Sequence, residues 1–209
     1  MLTIKFFAVG CADAILISYL GNDAQTHHIV IDSGEAKHSS LLKSELEKCP
    51  SIDLLVITHI DNDHIGGLSK LIEEGGLAQK GFIKNCWFNA LSKIKNSPNT
   101  EGVVGIKQGK LVRDTLSEQL GIELPFITNK TQLLNLFGAK LTVVSPDEDS
   151  LKKMLSKWQT KEPIGAKQYD YNKTIEELVH QAPPSFDTSE VNRSSIAFLF
   201  EYKDFKMLA

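Results

Sequence analysis

Cysteine is scarce in this chain, with three in 209 residues: Cys11, Cys49 and Cys86. Their spacing fits neither a zinc knuckle nor a paired framework, which excludes a disulfide scaffold and leaves reduced, buried thiols of a cytosolic protein as the expectation. Long hydrophobic runs are missing too, and no stretch is long enough to span a membrane. The opening MLTIKFFAVGCADAILISYLG resembles a leader at first sight, but Asp13 breaks its apolar stretch. Leu2, Ile4 and Phe6 alternate there, which predicts a strand. Nor does charge of one sign dominate: 23 Lys and Arg face 26 Asp and Glu, a net charge of -3. No global basic field therefore draws the chain to nucleic acid or to an anionic membrane. There is no internal repeat and no low-complexity tract. With 42% hydrophobic residues, the 209 residues can bury a sizeable core as one domain, or as most of one.

Three short strands are predicted over 2–9, 14–20 and 27–32, the last two joined as a hairpin by GNDAQT (21–26). A helix follows with Leu42, Leu46 and Cys49 on one stripe, stopped by Pro50. DLLVIT (53–58) is apolar on both faces, as a strand is when helices cover one side and a second sheet lies behind. Leu68, Leu71 and Ile72 continue as a short helix ended by Gly75 and Gly76. FIKNCWFN (82–89) and AKLTVVSP (139–146) read as strands, with a helix marked by Val112, Leu116 and Leu120 between them. Residues 147–190 are charged, helical where Leu151, Met154, Leu155 and Trp158 recur, and loop-like at QAPPSFDTS; the stretch reads as a surface insertion. The chain returns to a strand in SSIAFLFEY (194–202), turns at KDF and begins KMLA.

The densest chemistry lies in THIDNDHIGG (58–67), where two histidines, two aspartates and an asparagine fall within six residues after an apolar strand. His59 and Asp61 are two apart, so on extended backbone they share a side. Asp63 and His64 are adjacent and diverge, which suits a second ion beside the first. Imidazole and carboxylate are ordinary ligands of zinc and manganese. Two such ions about 3.5–4 Å apart share a water and lower its pKa toward ~7. Gly66 and Gly67 allow a tight turn that brings a helix N-terminus near the ions, favourable for an anionic substrate. The competing reading of such a cluster is a polar loop with a helix cap.

H-x-[HD]-x-D-H after a hydrophobic strand resembles the signature of the metallo-β-lactamase superfamily. The flanks are similar to the branch around the competence protein ComEC. AVGCADAILI (8–17) matches its opening, HHIVIDSG (27–34) its "iLIDtG" strand, and NRSSIAFLFEY (192–202) its Asn-x-Ser-Ser strand. Asp61, where most of the superfamily has His, is usual in that branch; Ala12 replaces a usual Gly. The resemblance implies an α/β four-layer αββα sandwich with its second half incomplete. The family's next strand carries a metal-bridging aspartate, followed by a helix and a final histidine, which are expected beyond Ala209. It also implies a metal-dependent hydrolase, most simply of phosphodiesters or nucleic acid. In that scheme His59 and Asp61 hold one zinc or manganese ion, Asp63 and His64 the other, and Asp63 also orients the attacking water. Without the bridging carboxylate, the second ion is expected to be weak, turnover poor, and self-association or a partner region favoured. Rival readings are a hydrolase of a lactam, thioester or other ester, and a non-catalytic module.

Other residues carry two readings each. Asp32 either orients a ligand histidine or caps a turn. Asp13 reads as a buried structural acid. Asn192 sits at the rim of the site by resemblance, but equally suits a turn. His27 and His28 lie in one strand, so one is expected to face the core and the other solvent; His38 and His180 have no partner pattern. Residues 80–113 hold Lys80, Lys84, Lys93, Lys95, Lys107, Lys110 and Arg113 against Glu101 alone, with Trp87 and Phe88 among them. Such a rim either guides a phosphate backbone and stacks a base, with Lys93 and Lys95 as substrate contacts, or is a plain solvated face.

Overall fold

The computed structural model describes residues 1–75, 77, 79–90, 104–160 and 190–209. Its first sheet has the order β1 (Leu2–Phe6), β2 (Ile15–Leu20), β3 (Thr26–Ile31), β4 (Leu54–Ile57) and β5 (Cys86–Phe88). β1, β2 and β3 pair antiparallel; β3, β4 and β5 are parallel. Parallel neighbours need crossovers, and two helices supply them. α1 (Ser39–Leu46), entered through a 3-10 turn at Ala36–His38, joins β3 to β4, and α2 (Asn62–Glu73) follows β4. The C-terminal ends of β3 and β4 therefore lie side by side, where open α/β sheets place their sites.

The first strand is shorter than its sequence predicts. Val9 N–H bonds the Phe7 carbonyl, and Gly10 takes φ +75°, so the chain turns before the alternation ends. β3 stops at Ile31 for a similar reason: Asp32 enters the left-handed region at φ 53°. The hairpin between β2 and β3 matches expectation, closed by Gly21 N–H on the Gln25 carbonyl at 2.7 Å.

β4 is buried at all four positions and divides its side chains between two cores. Leu55 and Ile57 face a layer that holds Leu42 and Leu46 of α1 and Ile65, Leu68 and Leu71 of α2. To the same layer α3 (Val104–Asp114) contributes Ile106 and Val112, and α4 (Glu148–Thr160) contributes Leu151 and Met154. Leu54 and Val56 face the second sheet. That sheet is antiparallel, in the order β6 (Leu134–Leu136), β7 (Ala139–Ser145), β8 (Ala197–Tyr202) and β9 (Phe205–Leu208). Leu141, Phe198 and Phe200 fill the space between the sheets at zero exposure. Full burial of each such side chain contributes roughly 1.5–3 kcal/mol. The described residues thus build three layers of the four implied: helices, sheet, sheet. On the outer face of the second sheet Val144 and Leu208 stay 48% and 69% exposed. A short helix, α5 (Glu190–Arg193), leads into β8; α4 opens the charged stretch 147–190, of which 161–189 lie outside the described residues.

Three expectations are corrected. Cys49 and Cys86 are buried, but Cys11 is exposed in the loop after β1. Asp13 is exposed as well; only its carbonyl is engaged, by Gly34 N–H at 2.9 Å. His27 and His28 are both buried, at 4% and 8% exposure, because neighbours distant in sequence cover each of them. The His27 ring stacks on Phe137 at 3.8 Å, and the His28 ring meets Ser18 Oγ at 2.9 Å.

Asp53 organises this end of the sheet. Its buried carboxylate accepts from His28 N–H at 3.0 Å and from Lys84 Nζ at 2.9 Å. Burial works against its charge, but those bonds, with His27 beside them, hold its pKa below the usual carboxylate range. A lowered folded-state pKa stabilises the fold above the unfolded value, and that stability is lost as pH falls through the folded one. Asp53→Asn should therefore cost about 1.5–3 kcal/mol at pH 7. Urea unfolding should show the gap between parent and variant closing in acid, below the ordinary carboxylate range.

Candidate metal centre

β4 ends at Ile57, and Thr58, His59 and Ile60 lead to an extended Asp61 before α2 begins at Asn62. The helix starts inside the polar motif, so Asp63 and His64 ride on its first turn while His59 and Asp61 precede it. Asp61 occupies the N-cap, yet its side chain makes no capping hydrogen bond. The capping reading of the cluster therefore does not explain this residue.

The rings of His59 and His64 lie 3.9 Å apart between centroids. His59 Nε2 stands 3.8 Å from Asp61 Oδ2, and His64 Nε2 3.7 Å from Asp63 Oδ2. Both gaps are too long for hydrogen bonds. They are spacings that an ion can fill, since two donors each ~2.0–2.2 Å from a shared metal stand at most ~4.4 Å apart.

Asp32 sets the proton on each ring. Only 2% of its side chain is exposed, and it accepts from Thr58 N–H at 2.8 Å, Thr58 Oγ1–H at 2.7 Å and His64 Nδ1–H at 2.8 Å. With its Nδ1 proton on a carboxylate, a neutral His64 presents a lone pair at Nε2. The Thr58 hydroxyl has spent its single proton on Asp32. Toward His59 Nδ1, 2.9 Å away, it can act only as acceptor, so that nitrogen carries the proton and His59 Nε2 is the free lone pair. One buried carboxylate fixes the tautomer of both histidines. Asp32 thus holds the His64 ring and the Thr58 backbone and hydroxyl at once.

The electrostatics differ between the two rings. Burial, and secondarily the neighbouring His64, push the His59 pKa down to about 3, so the ring is neutral near pH 7. Burial also opposes charge on His64, but the Asp32 hydrogen bond and charge outweigh it, with smaller contributions from Asp63 and Asp13, and raise its pKa. Burial in turn raises that of Asp32.

The turn at Asp32–Gly34 is also the mechanical anchor of α2. Ser33 N–H and Oγ–H both donate to the His64 carbonyl at 2.8 Å, and Leu68 N–H donates to Ser33 Oγ at 2.8 Å. Gly67 N–H bonds the Gly34 carbonyl at 2.7 Å, and a Cβ at position 67 would lie 2.2 Å from the Ser33 carbonyl oxygen. Backbone on backbone is why the motif needs glycine here.

Among the described residues, no group of three or more His, Cys, Asp or Glu is arranged to hold a metal ion. The cluster offers instead two pairs, His59 with Asp61 and Asp63 with His64. The pairs fit a divalent ion in donor chemistry, tautomer and spacing, with two protein ligands each.

Some residues singled out from sequence lie elsewhere. Lys93, Lys95 and His180 fall outside the described residues. Lys84 is bound to Asp53 at the opposite end of the sheet. Trp87 and Phe88 are buried at 6% and 1% exposure, so neither stacks a base; they fill the two cores on either side of β5. Asn192 is exposed on α5, and its carbonyl accepts from Ser195 N–H at 3.1 Å. Two residues were missed. Thr58 carries no signal beyond the end of the strand 53–58, and Ser195, whose Oγ is 3.2 Å from His59 Nδ1, none beyond the turn and strand at 192–202.

The metallo-beta-lactamase superfamily model matches residues 14–82, the stretch that builds β2, β3, α1, β4 and α2. Among solved structures, a metallo-beta-lactamase with a HARLDQ motif from Cronobacter sakazakii is 16% identical, covering 68% of this chain and 49% of that one, with a TM-score of 0.33. A diphosphatase from the PhnP family is 19% identical, covering 63% of this chain and 43% of that one, with a TM-score of 0.36. The chain spans about half the length of the solved structures it matches. No curated protein matches it. No described helix is long and apolar enough to cross a membrane.

Gly67→Ala tests the anchor. The added methyl must displace Ser33, at about 1–3 kcal/mol for overpacking. Thermal unfolding should show the loss. Ring 15N spectra of His64 should show its single tautomer disturbed, since Asp32 moves with Ser33.

Proposed function

We propose that the chain is a metal-dependent hydrolase acting on phosphodiesters. The observation that carries this reading is the pair of histidine Nε2 atoms, each facing a carboxylate across 3.7–3.8 Å with the ring's other nitrogen tied down. Such an arrangement costs binding and orientation in advance, which a merely polar loop has no reason to do. His59 and Asp61 would hold one ion, Asp63 and His64 the other; oxygen donors at 61 and 63 leave both manganese and zinc open. When bound, the metal acts as a Lewis acid that acidifies water and neutralises developing negative charge. The chain's residues do the rest. Asp63, with 24% of its side chain exposed, faces the solvent side, orients the attacking water and accepts its proton. Asp32 and Thr58 keep both histidines from taking that proton at Nδ1.

Support for an anionic substrate comes from α3. Its Gly105 packs so closely on the metal loop that a Cβ would lie 2.4 Å from the Ile60 carbonyl oxygen. Gln108 Nε2–H donates to Asn62 Oδ1 at 2.8 Å, and the same helix bears Lys107. The sequence resemblance to the ComEC-like branch points the same way, toward nucleic acid or a nucleotide. What favours a second reading, a module that binds a partner without turnover, is the limit of two described donors per ion.

Calorimetric titration of metal-free protein with Mn²⁺ and Zn²⁺ should give binding that Asp63→Ala and His64→Ala each weaken by about 100-fold or more. Unchanged affinity in both variants would remove the metal assignment. Metal-loaded protein should cleave bis(p-nitrophenyl) phosphate in preference to a lactam or thioester. Lys107→Glu should raise KM and flatten the salt dependence of cleavage. Binding without turnover on any of the three substrates would favour the partner-binding module.

A further inference from the structure

His59 Nδ1 has a second hydroxyl on it that Thr58 does not explain. Ser195 Oγ lies 3.2 Å away, delivered from a point 136 residues further along the chain. The next residue is fixed at the same place, because Ile196 N–H donates to the Thr58 carbonyl at 3.0 Å. Ser195 and Ile196 lead directly into β8, which lies within the second sheet between β7 and β9. Consecutive residues thus fasten the second sheet to the backbone and the side chain of the polar motif.

We propose that Ser195 is a positioning residue for His59, holding the ring in the orientation and tautomer that aim Nε2 at Asp61. The proposal rests on reading His59 as a metal ligand. The proton count supports it. A neutral imidazole has one N–H, and Thr58 Oγ1, its own proton given to Asp32, offers only a lone pair to Nδ1. Ser195 Oγ then shares the same Nδ1–H as a second acceptor. Two acceptors on one side of the ring favour the proton there over Nε2, and a ring flip would exchange both contacts for a carbon. Thr58 belongs to the same short loop as His59 and moves with it. Ser195 does not, so it is the contact that references the ring to the rest of the fold. The ligand geometry is thereby complete only when the second sheet is docked.

The test uses the full 209-residue chain without metal, labelled with 15N-histidine. In the parent, His59 should show one tautomer, protonated at Nδ1. Ser195→Ala should give a detectable fraction of the Nε2-protonated form or exchange-broadened His59 ring signals. Ser195→Thr, which restores the hydroxyl, should return the parent pattern. Hydrogen exchange at the Ile196 amide should stay protected in both, separating ring positioning from loss of the strand. A Ser195→Ala spectrum superimposable on the parent at His59 would overturn the proposal. So would a change that Ser195→Thr does not reverse, or one accompanied by loss of Ile196 protection. Metal titration then separates this inference from the reading beneath it. Ser195→Ala should weaken Mn²⁺ or Zn²⁺ binding by about 10-fold. A parent that binds neither ion while showing the tautomer change would refute the metal reading and leave the positioning role standing.

Discussion

A single buried carboxylate carries the local order of this molecule. Asp32 sits at the end of β3 in left-handed backbone, at φ 53°, a conformation that costs a non-glycine residue on the order of 1 kcal/mol. The strain turns the side chain to the loop after β4 and the start of α2, where it collects the Thr58 amide, the Thr58 hydroxyl and the His64 ring. A buried charge with no partner would be far more costly than the strain. Three donors at 2.7–2.8 Å offset part of that cost, though burial still raises the carboxyl's pKa, and the same bonds fix the Nδ1 side of each histidine.

The parallel arrangement of β3 and β4 is what makes this possible. Their C-terminal ends are adjacent, so residues 26 apart in sequence become hydrogen-bonding neighbours. α2 is then held down on the same turn by Ser33 and by the contact at Gly67, which needs the absence of a side chain rather than the presence of one. Two buried carboxylates organise opposite ends of the sheet. Asp32 serves the cluster at one end, and Asp53 with Lys84 and the buried histidines secures the other.

How much of this was legible in the sequence follows from how local each signal is. The strand segments, the helices after β3 and after the polar cluster, and the two-sided burial of β4 came from periodicity, while the sheet order did not; the polar cluster stood out by composition alone. Asp32 could be placed beside the cluster but not decided between orienting and capping, since its partners are 26 and 32 residues away. His27 and His28 are both buried, against the expectation that one faces solvent, because Phe137 stacks on the His27 ring and Ser18 of the neighbouring strand meets the His28 ring. Trp87 and Phe88 misled for the opposite reason: lysines around them suggested a surface, while their strand is buried on both faces. Ser195 was visible within Asn-Arg-Ser-Ser, but nothing in local spacing tells that it reaches a histidine 136 positions earlier.

The central claim is that two tautomerically fixed histidines and two carboxylates form paired donor sites for divalent ions. Anomalous diffraction from crystals soaked in Mn²⁺, and separately in Zn²⁺, measures this most directly. The account predicts a peak ~2.0–2.2 Å from His59 Nε2 and Asp61, from His64 Nε2 and Asp63, or at both places. An ion bound only elsewhere, or both Nε2 atoms left without one at saturating metal, would contradict it.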